Sequence, residues 1–224
     1  MKILGALALL ALPLTMVGQD YIESSTFNTD YRGAKREMQY LPAEDGSFVS
    51  HNGKNLYTRA LYGGPSLFRI ETSDMPIFAA YHKSENRNIH FTVTVGDKTM
   101  RLDSVADCKA YYIGGERRYE LSDPAWGKGS IEMTVVATYD REGAIWKVVA
   151  KNMPKGSELT ANTCSTVKVK LNRSGDIGAD PGNAFAPVES RDNLRQASVK
   201  IGGKSATAYI EYFDRDVTAD KQKA

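Results

Sequence analysis

Ile131-Glu132-Met133-Thr134-Val135-Val136-Ala137-Thr138-Tyr139 alternates apolar and polar side chains over most of its length. A period of two is how a half-buried β-strand reads, and a helix with its period of about 3.6 does not read this way. After Asp140-Arg141-Glu142-Gly143 the alternation resumes at Ala144, Trp146, Val148 and Ala150. Closing a four-residue loop sets Ala137 opposite Trp146 and Val135 opposite Val148, with the apolar set on one face. Trp146 is therefore expected in the core.

The same signal recurs outward from this hairpin. Ile89, Phe91, Val93 and Val95 alternate with His90, Thr92 and Thr94, and Gly96-Asp97 follows as a two-residue turn. That register sets Val93 against Met100 and Phe91 against Leu102. Gly114-Gly115 marks a hairpin between residues 105–113 and 116–121, and Gly202-Gly203 a weaker one between 197–201 and 204–213. Short segments at 38–41, 48–51, 56–62, 67–71 and 77–81 are separated by turn chemistry such as Asn52-Gly53 and Gly63-Gly64-Pro65. No stretch of ten residues shows a helical stripe, and residues 189–196, the one candidate, lack an apolar face. Many short strands at regular spacing suit a sandwich or a barrel. The expected fold is all-β, an antiparallel β-sandwich of the large, supersandwich type in one domain.

Lys2 is followed by an apolar run from Ile3 to Val17, and Gly18 precedes the polar Gln19-Asp20. A basic start, a short apolar stretch and a small residue before a polar one describe a secretory signal peptide cut near Gly18. The run is shorter than the roughly 18–20 residues that span a bilayer, and no later segment is apolar enough to do so. The expected organisation is a signal peptide at 1–18, an extended leader at 19–35, the sandwich at 36–213 and a charged tail or linker stub at 214–224. Secretion or a periplasmic location follows, without a membrane span. Lys plus Arg number 29 against 27 acidic residues, and the charges are interspersed. Nucleic-acid binding, which rests on phosphate neutralisation, is excluded as a main function.

The two cysteines could pair after export. In the expected registers Cys108 opposes Leu121 and looks inward, whereas Cys164 is in phase with Lys168 and Lys170 and looks outward, so they are expected to stay unpaired. Two cysteines and three scattered histidines show no metal-ligand spacing, and no cofactor fingerprint appears. His51, His82 and His90 are expected at the surface, away from any recognisable nucleophile. No carboxylate pair can be singled out for glycoside hydrolysis, so no catalytic residue is assigned. Two loops are the candidate contact sites. Trp126 sits in the glycine-flanked Trp126-Gly127-Lys128-Gly129, where an indole could stack on a sugar ring or fold back over the sheet. Asp176 and Asp180 lie among small residues in Gly175–Gly182, a stretch that could hold calcium or a partner or be a solvated turn. It belongs to a long Gly-, Pro- and Asp-rich loop at 172–193.

Gly53-Lys-Asn-Leu-Tyr-Thr-Arg-Ala-Leu-Tyr-Gly63 and Glu71-Thr-Ser-Asp-Met-Pro-Ile-Phe78 resemble the opening of an uncharacterised family of large secreted bacterial proteins. Those proteins carry an N-terminal β-sandwich followed by a six-hairpin glycosidase-like (α/α) barrel. Trp126–Gly129, Gly143–Lys147 and Gly175–Pro181 are similar to later landmarks of the same sandwich, in order. The resemblance implies that catalytic carboxylates belong to the barrel, and this sequence stops at Ala224. It thus implies a non-catalytic sandwich, truncated or stand-alone, from a carbohydrate-processing system. Its partners would be a glycan or a barrel domain or subunit. The alternative is an independent extracellular structural or adhesion domain without sugar binding.

Overall fold

The alternating segments do become strands. The computed structural model describes residues 30–31, 34–35, 40–53, 57–82, 86–166 and 187–221. The strands run β1 (Asp30–Tyr31), β2 (Ala34–Lys35), β3 (Leu41–Pro42), β4 (Phe48–His51), β5 (Tyr57–Leu61), β6 (Arg69–Ser73), β7 (Ile77–Tyr81), β8 (Asn86–Val95) and β9 (Lys98–Arg101). They continue with β10 (Asp107–Ile113), β11 (Glu116–Ser122), β12 (Ser130–Ala137), β13 (Gly143–Met153), β14 (Glu158–Thr166), β15 (Pro187–Val188), β16 (Arg195–Lys200), β17 (Gly203–Phe213) and β18 (Asp216–Lys221). Met1–Met38 and Gln39–Ala224 are separate units. In the first, the described residues form only the β1–β2 pair.

In the second unit two antiparallel sheets pack face to face. The first has the order β18-β17-β13-β12-β11-β10-β4-β3; the second runs β15-β14-β8-β7-β6-β5, with β16 beside β14 and β9 beside β8. Trp146 of the first sheet meets Phe78 and Phe91 of the second at ring separations of 5.3 and 5.6 Å. Phe78 also stands edge-on to Tyr119 at 5.7 Å. Tilted and edge-to-face pairs of this kind add to the area that the rings bury. Val93, Val135, Met133 and Val148 complete the buried centre.

The two-residue hairpins hold as expected, except that β9 ends at Arg101 and Leu102 enters a 3-10 turn instead of pairing with Phe91. Val95 pairs with Lys98 and Val93 with Met100, and Ile113 pairs with Glu116. Gly96 and Gly115 supply the positive φ angles, 63° and 92°, that such turns require. The β12–β13 register differs: Val135 faces Trp146, and Ala137 faces Ala144. The loop is longer because Thr138 joins it, its N–H donating to Gly143 O and its hydroxyl to Arg141 O. A shift of two residues preserves every face, so the core set is unchanged.

Two other boundaries are corrected. Gly202-Gly203 is not a hairpin, because β16 pairs with β14 in one sheet and β17 with β13 in the other. The chain changes sheets there, Ile201 and Gly202 donating to Ser157 O at 2.9 and 3.1 Å. A Cβ on Gly202 would stand 2.6 Å from Pro154 O, so the crossing needs a glycine. Residues expected as a charged tail form β18, an edge strand that buries Val217 against β17. Its turn, Asp214-Arg215, takes left-handed φ at both positions without glycine, which hides the hairpin from the sequence.

Candidate functional site

Trp126 is packed against the sheet rather than exposed. Asp123 caps a short 3-10 turn over Pro124–Trp126, its carboxylate accepting from Ala125 N at 2.9 Å. The turn tips the indole back over the sheet, where the residue is 1% exposed. Gly129, without a side chain, leaves room for Trp126 and the Met153 sulfur. Asp176 and Asp180 lie outside the described residues.

The outer face of the first sheet bears a shallow groove of about 360 Å³ lined by charged and hydroxyl groups, among them Asp107, Lys109, Glu120, Ser122, Glu132 and Lys151. His51 Nε2 lies 2.5 Å from Asp107 Oδ1, and the Ser122 hydroxyl donates to Asp107 Oδ2 at 3.3 Å. The carboxylate stands between serine and imidazole, so histidine does not reach the hydroxyl proton and the serine is not activated. The His51 hydrogen bond also holds Asp107 below the usual carboxylate range, which makes it a weaker base. Glu120 and Glu132 are direct cross-strand partners on this open face. Standing on one surface, they do not flank a bond as glycoside hydrolysis requires.

One end of the sandwich exposes large apolar groups. Tyr62 and Leu67 are each 65% exposed and Tyr139 is 79% exposed. Their loops abut: a Cβ on Gly63 would run into the Thr138 carbonyl, and one on Gly64 would lie 2.6 Å from Tyr139 O. Asp140, Arg141 and Glu142 follow Tyr139, all exposed. Beneath them, His82 is packed rather than at the surface, with Nε2 3.0 Å from Tyr212 Oη and its ring 5.0 Å from Phe68.

The second sheet hides a polar cluster on the side away from the main core. Ile89, Phe91 and Val93 face the core, so Asn88 and His90 project from the opposite face of β8. Cys164 pairs with Asn88 and Asn162 with His90, placing both on that same face. The sequence reading expected His90 at the surface. Instead it is 3% exposed, and Asn88, Asn162 and Cys164 are buried with it. Asn88 Oδ1 lies 2.7 Å from His90 Nδ1, and Glu189 Oε1 lies 3.2 Å from Nε2. Gln196 donates to Asn162 Oδ1 at 2.7 Å, and Asn162 donates to the His90 carbonyl at 3.4 Å. Arg101, nearby, is held by both oxygens of Asp103 at 2.8 and 2.9 Å. Burial, aided by the Arg101 charge, lowers His90 to about 4 and leaves it neutral. Burial likewise pushes the Cys164 thiol up to about 11. A protonated, fully covered thiol is not a poised nucleophile, even with an imidazole close by. Sequence spacing did not show this cluster. The hints are a cysteine in the polar phase of β14 and an Asn-x-His pair in the polar phase of an otherwise apolar strand. Cys108 faces the core instead, and both cysteines are free.

Residues 85–223, more than half of the chain, match a family described as a domain of unknown function, DUF4450. The chain belongs to this family. No curated protein and no solved structure matches it. The DUF4450 span opens at β8 and closes after β18, so the whole buried polar cluster falls within it. Tyr62 and Leu67 precede it. Among the described residues, no helix is long and apolar enough to cross a membrane.

Proposed function

We propose that this chain is a non-catalytic β-sandwich module of a secreted or periplasmic carbohydrate-processing protein, serving a separate catalytic barrel by holding glycan beside it. The resemblance of five ordered segments supports the carbohydrate setting. The single observation that supports binding is the exposed end formed by Tyr62, Leu67 and Tyr139 on abutting loops. Exposed aromatic rings offer apolar faces to sugar rings, and the neighbouring Asp140, Arg141 and Glu142 offer hydrogen-bonding groups to hydroxyls. Soluble monomers seldom leave such groups clustered without a partner. The groove on the first sheet supports the non-catalytic half of the reading, because its acids share one open surface. The test is retention of the purified chain on a panel of plant and host polysaccharides, with reducing ends assayed alongside. Tyr62→Ala with Tyr139→Ala should abolish retention, Trp126→Phe should leave it intact, and no reducing ends should appear. Turnover would overturn the non-catalytic reading. No retention by the unaltered chain would overturn glycan binding and leave the structural or adhesion alternative.

A further inference from the structure

Three strands bring His90, Cys164 and Glu189 together from distant parts of the chain. His90 and Cys164 project from the same face of neighbouring strands β8 and β14. Glu189 follows β15, which pairs with the other edge of β14 through Ser165 and Val188. The imidazole nitrogen, the sulfur and a carboxylate oxygen all lie within 4.8 Å of one another. We propose that they form a binding site for a borderline-soft divalent cation, zinc foremost.

The donor set suits that class. Thiolate and imidazole select zinc and its neighbours over calcium or magnesium, which take oxygen ligands. Around tetrahedral zinc, donor atoms stand roughly 3.3–3.8 Å apart. The His90–Glu189 distance of 3.2 Å is already there, and Glu189, with 47% of its side chain exposed, can adjust to close the remainder.

The groups behind the ligands favour the same reading. With Asn88 Oδ1 accepting from Nδ1–H, the imidazole keeps its lone pair at Nε2, aimed at the cluster. That lone pair faces a carboxylate oxygen at 3.2 Å, so two acceptors confront each other with a proton or a cation needed between them. Arg101 and Arg87 both lie near the site; the Arg101 charge is met by Asp103 in a bidentate pair, and Arg87 donates to Asn193 O at 3.0 Å. A thiolate and the Glu189 carboxylate then balance a divalent ion. Uptake displaces the Cys164 proton, because the sulfur ligates only as thiolate. Three protein ligands leave a fourth position for water or a bound ligand.

The test uses the full chain stripped with a strong chelator and dialysed. Zinc titration against a chromogenic indicator should show one tight site per chain, and cobalt should give a thiolate-to-metal charge-transfer band in the near ultraviolet. Cys164→Ser should abolish the band and the stoichiometric zinc. Asn88→Ala should weaken zinc by about 10–100-fold, as loss of an orienting partner does. Glu189→Gln is the variant least able to disturb folding, since its side chain is half exposed, and it should weaken zinc at least as much as Asn88→Ala. Cys108→Ser should keep both zinc and band. No uptake by the unaltered chain, or uptake that survives both Cys164→Ser and Glu189→Gln, overturns the site. So does a band that follows Cys108.

Discussion

Both sheets alternate apolar and polar residues and show polar groups to water, but on the second sheet part of that polar face is covered. On the first sheet Lys109, Lys147 and Val136 project outward and are exposed. On the second, the equivalent positions Asn88, His90, Asn162 and Cys164 are buried. Ile77 and Ala79, on the same outer face of β7, are buried too and lie apart from the main core cluster. Alternation reports which residues share a face; it does not report what covers that face. Covered polar groups must find partners inside the protein, and those groups become the chemistry that a sequence reading passes over.

The largest effect expected lies on the face that both sheets share. Trp146→Ala should cost about 3–5 kcal/mol, because it empties the contact among Phe78, Phe91 and the first sheet. Lys147→Ala, one residue on and exposed, should change stability by less than about 0.5 kcal/mol. Urea unfolding of the two variants measures both. Similar costs would mean that the first sheet does not divide inner from outer as described.

That inner face was legible in the sequence. Phe91, Val93, Met133, Val135 and Trp146 are buried as the period of two requires, and even the two-residue slip at β12–β13 left them in place. What the pattern could not show was long-range pairing. It took Gly202-Gly203 for a hairpin because turn chemistry is local and a sheet crossing is not. It took 214–224 for a tail because Asp214-Arg215 lacks the glycine that usually announces such a turn. Trp126 had two readings, and the capped turn decides for the packed one. His90 was read correctly as lying on a polar face and wrongly as lying at the surface. Its burial leaves the register intact because it is buried on the opposite side from Phe91.

His90 gives the next effect, and it is a pH effect. Burial lowers its pKa from 6.5 to about 4, Arg101 adding to the shift and Asp103 opposing it. The unfolded chain therefore binds the proton first as pH falls. The stability that His90 contributes is whole above about pH 6.5 and is lost as pH falls toward 4, a change of about 3 kcal/mol. Glu189 and Cys164 also face the ring, and attraction to Glu189 would reduce the loss. In metal-free protein, urea midpoints between pH 7 and 4 should fall more steeply for the unaltered chain than for His90→Gln. Parallel curves would show that His90 stays protonatable in the fold.

The cysteines sharpen the same contrast at a smaller scale. Cys108 lies among core side chains, and its Sγ reaches Asp74 O only at 3.9 Å. A serine hydroxyl there is left short of an acceptor, so Cys108→Ser should cost about 1–3 kcal/mol. Cys164 faces a nitrogen and a carboxylate that can accept a hydroxyl proton. In chelator-treated protein, Cys164→Ser should cost about 1 kcal/mol less than Cys108→Ser. Equal losses would mean that the two buried faces solvate polar groups alike. Alkylation without reductant should add two groups on unfolding and none in the folded chain, since both thiols are free and buried.

The smallest effect belongs to the open face. Glu132 sits directly opposite Glu120, and like charges so placed repel. On its other side it pairs with Val149, and Lys147 and Lys151 stand at the diagonal positions with the opposite sign. Attraction and repulsion therefore nearly cancel, and water and salt screen both. Glu132→Gln should shift stability by less than about 0.5 kcal/mol, and raising salt should shrink even that. The same kind of change on the covered face, where half-exposed Glu189 meets buried His90, acts in a lower dielectric on the His90 side and with less of that screening. If Glu132→Gln instead costs more than about 1 kcal/mol, independent of salt, the groove is not open to solvent. The contrast between a wet polar face and a covered one would then fail at the first sheet rather than the second.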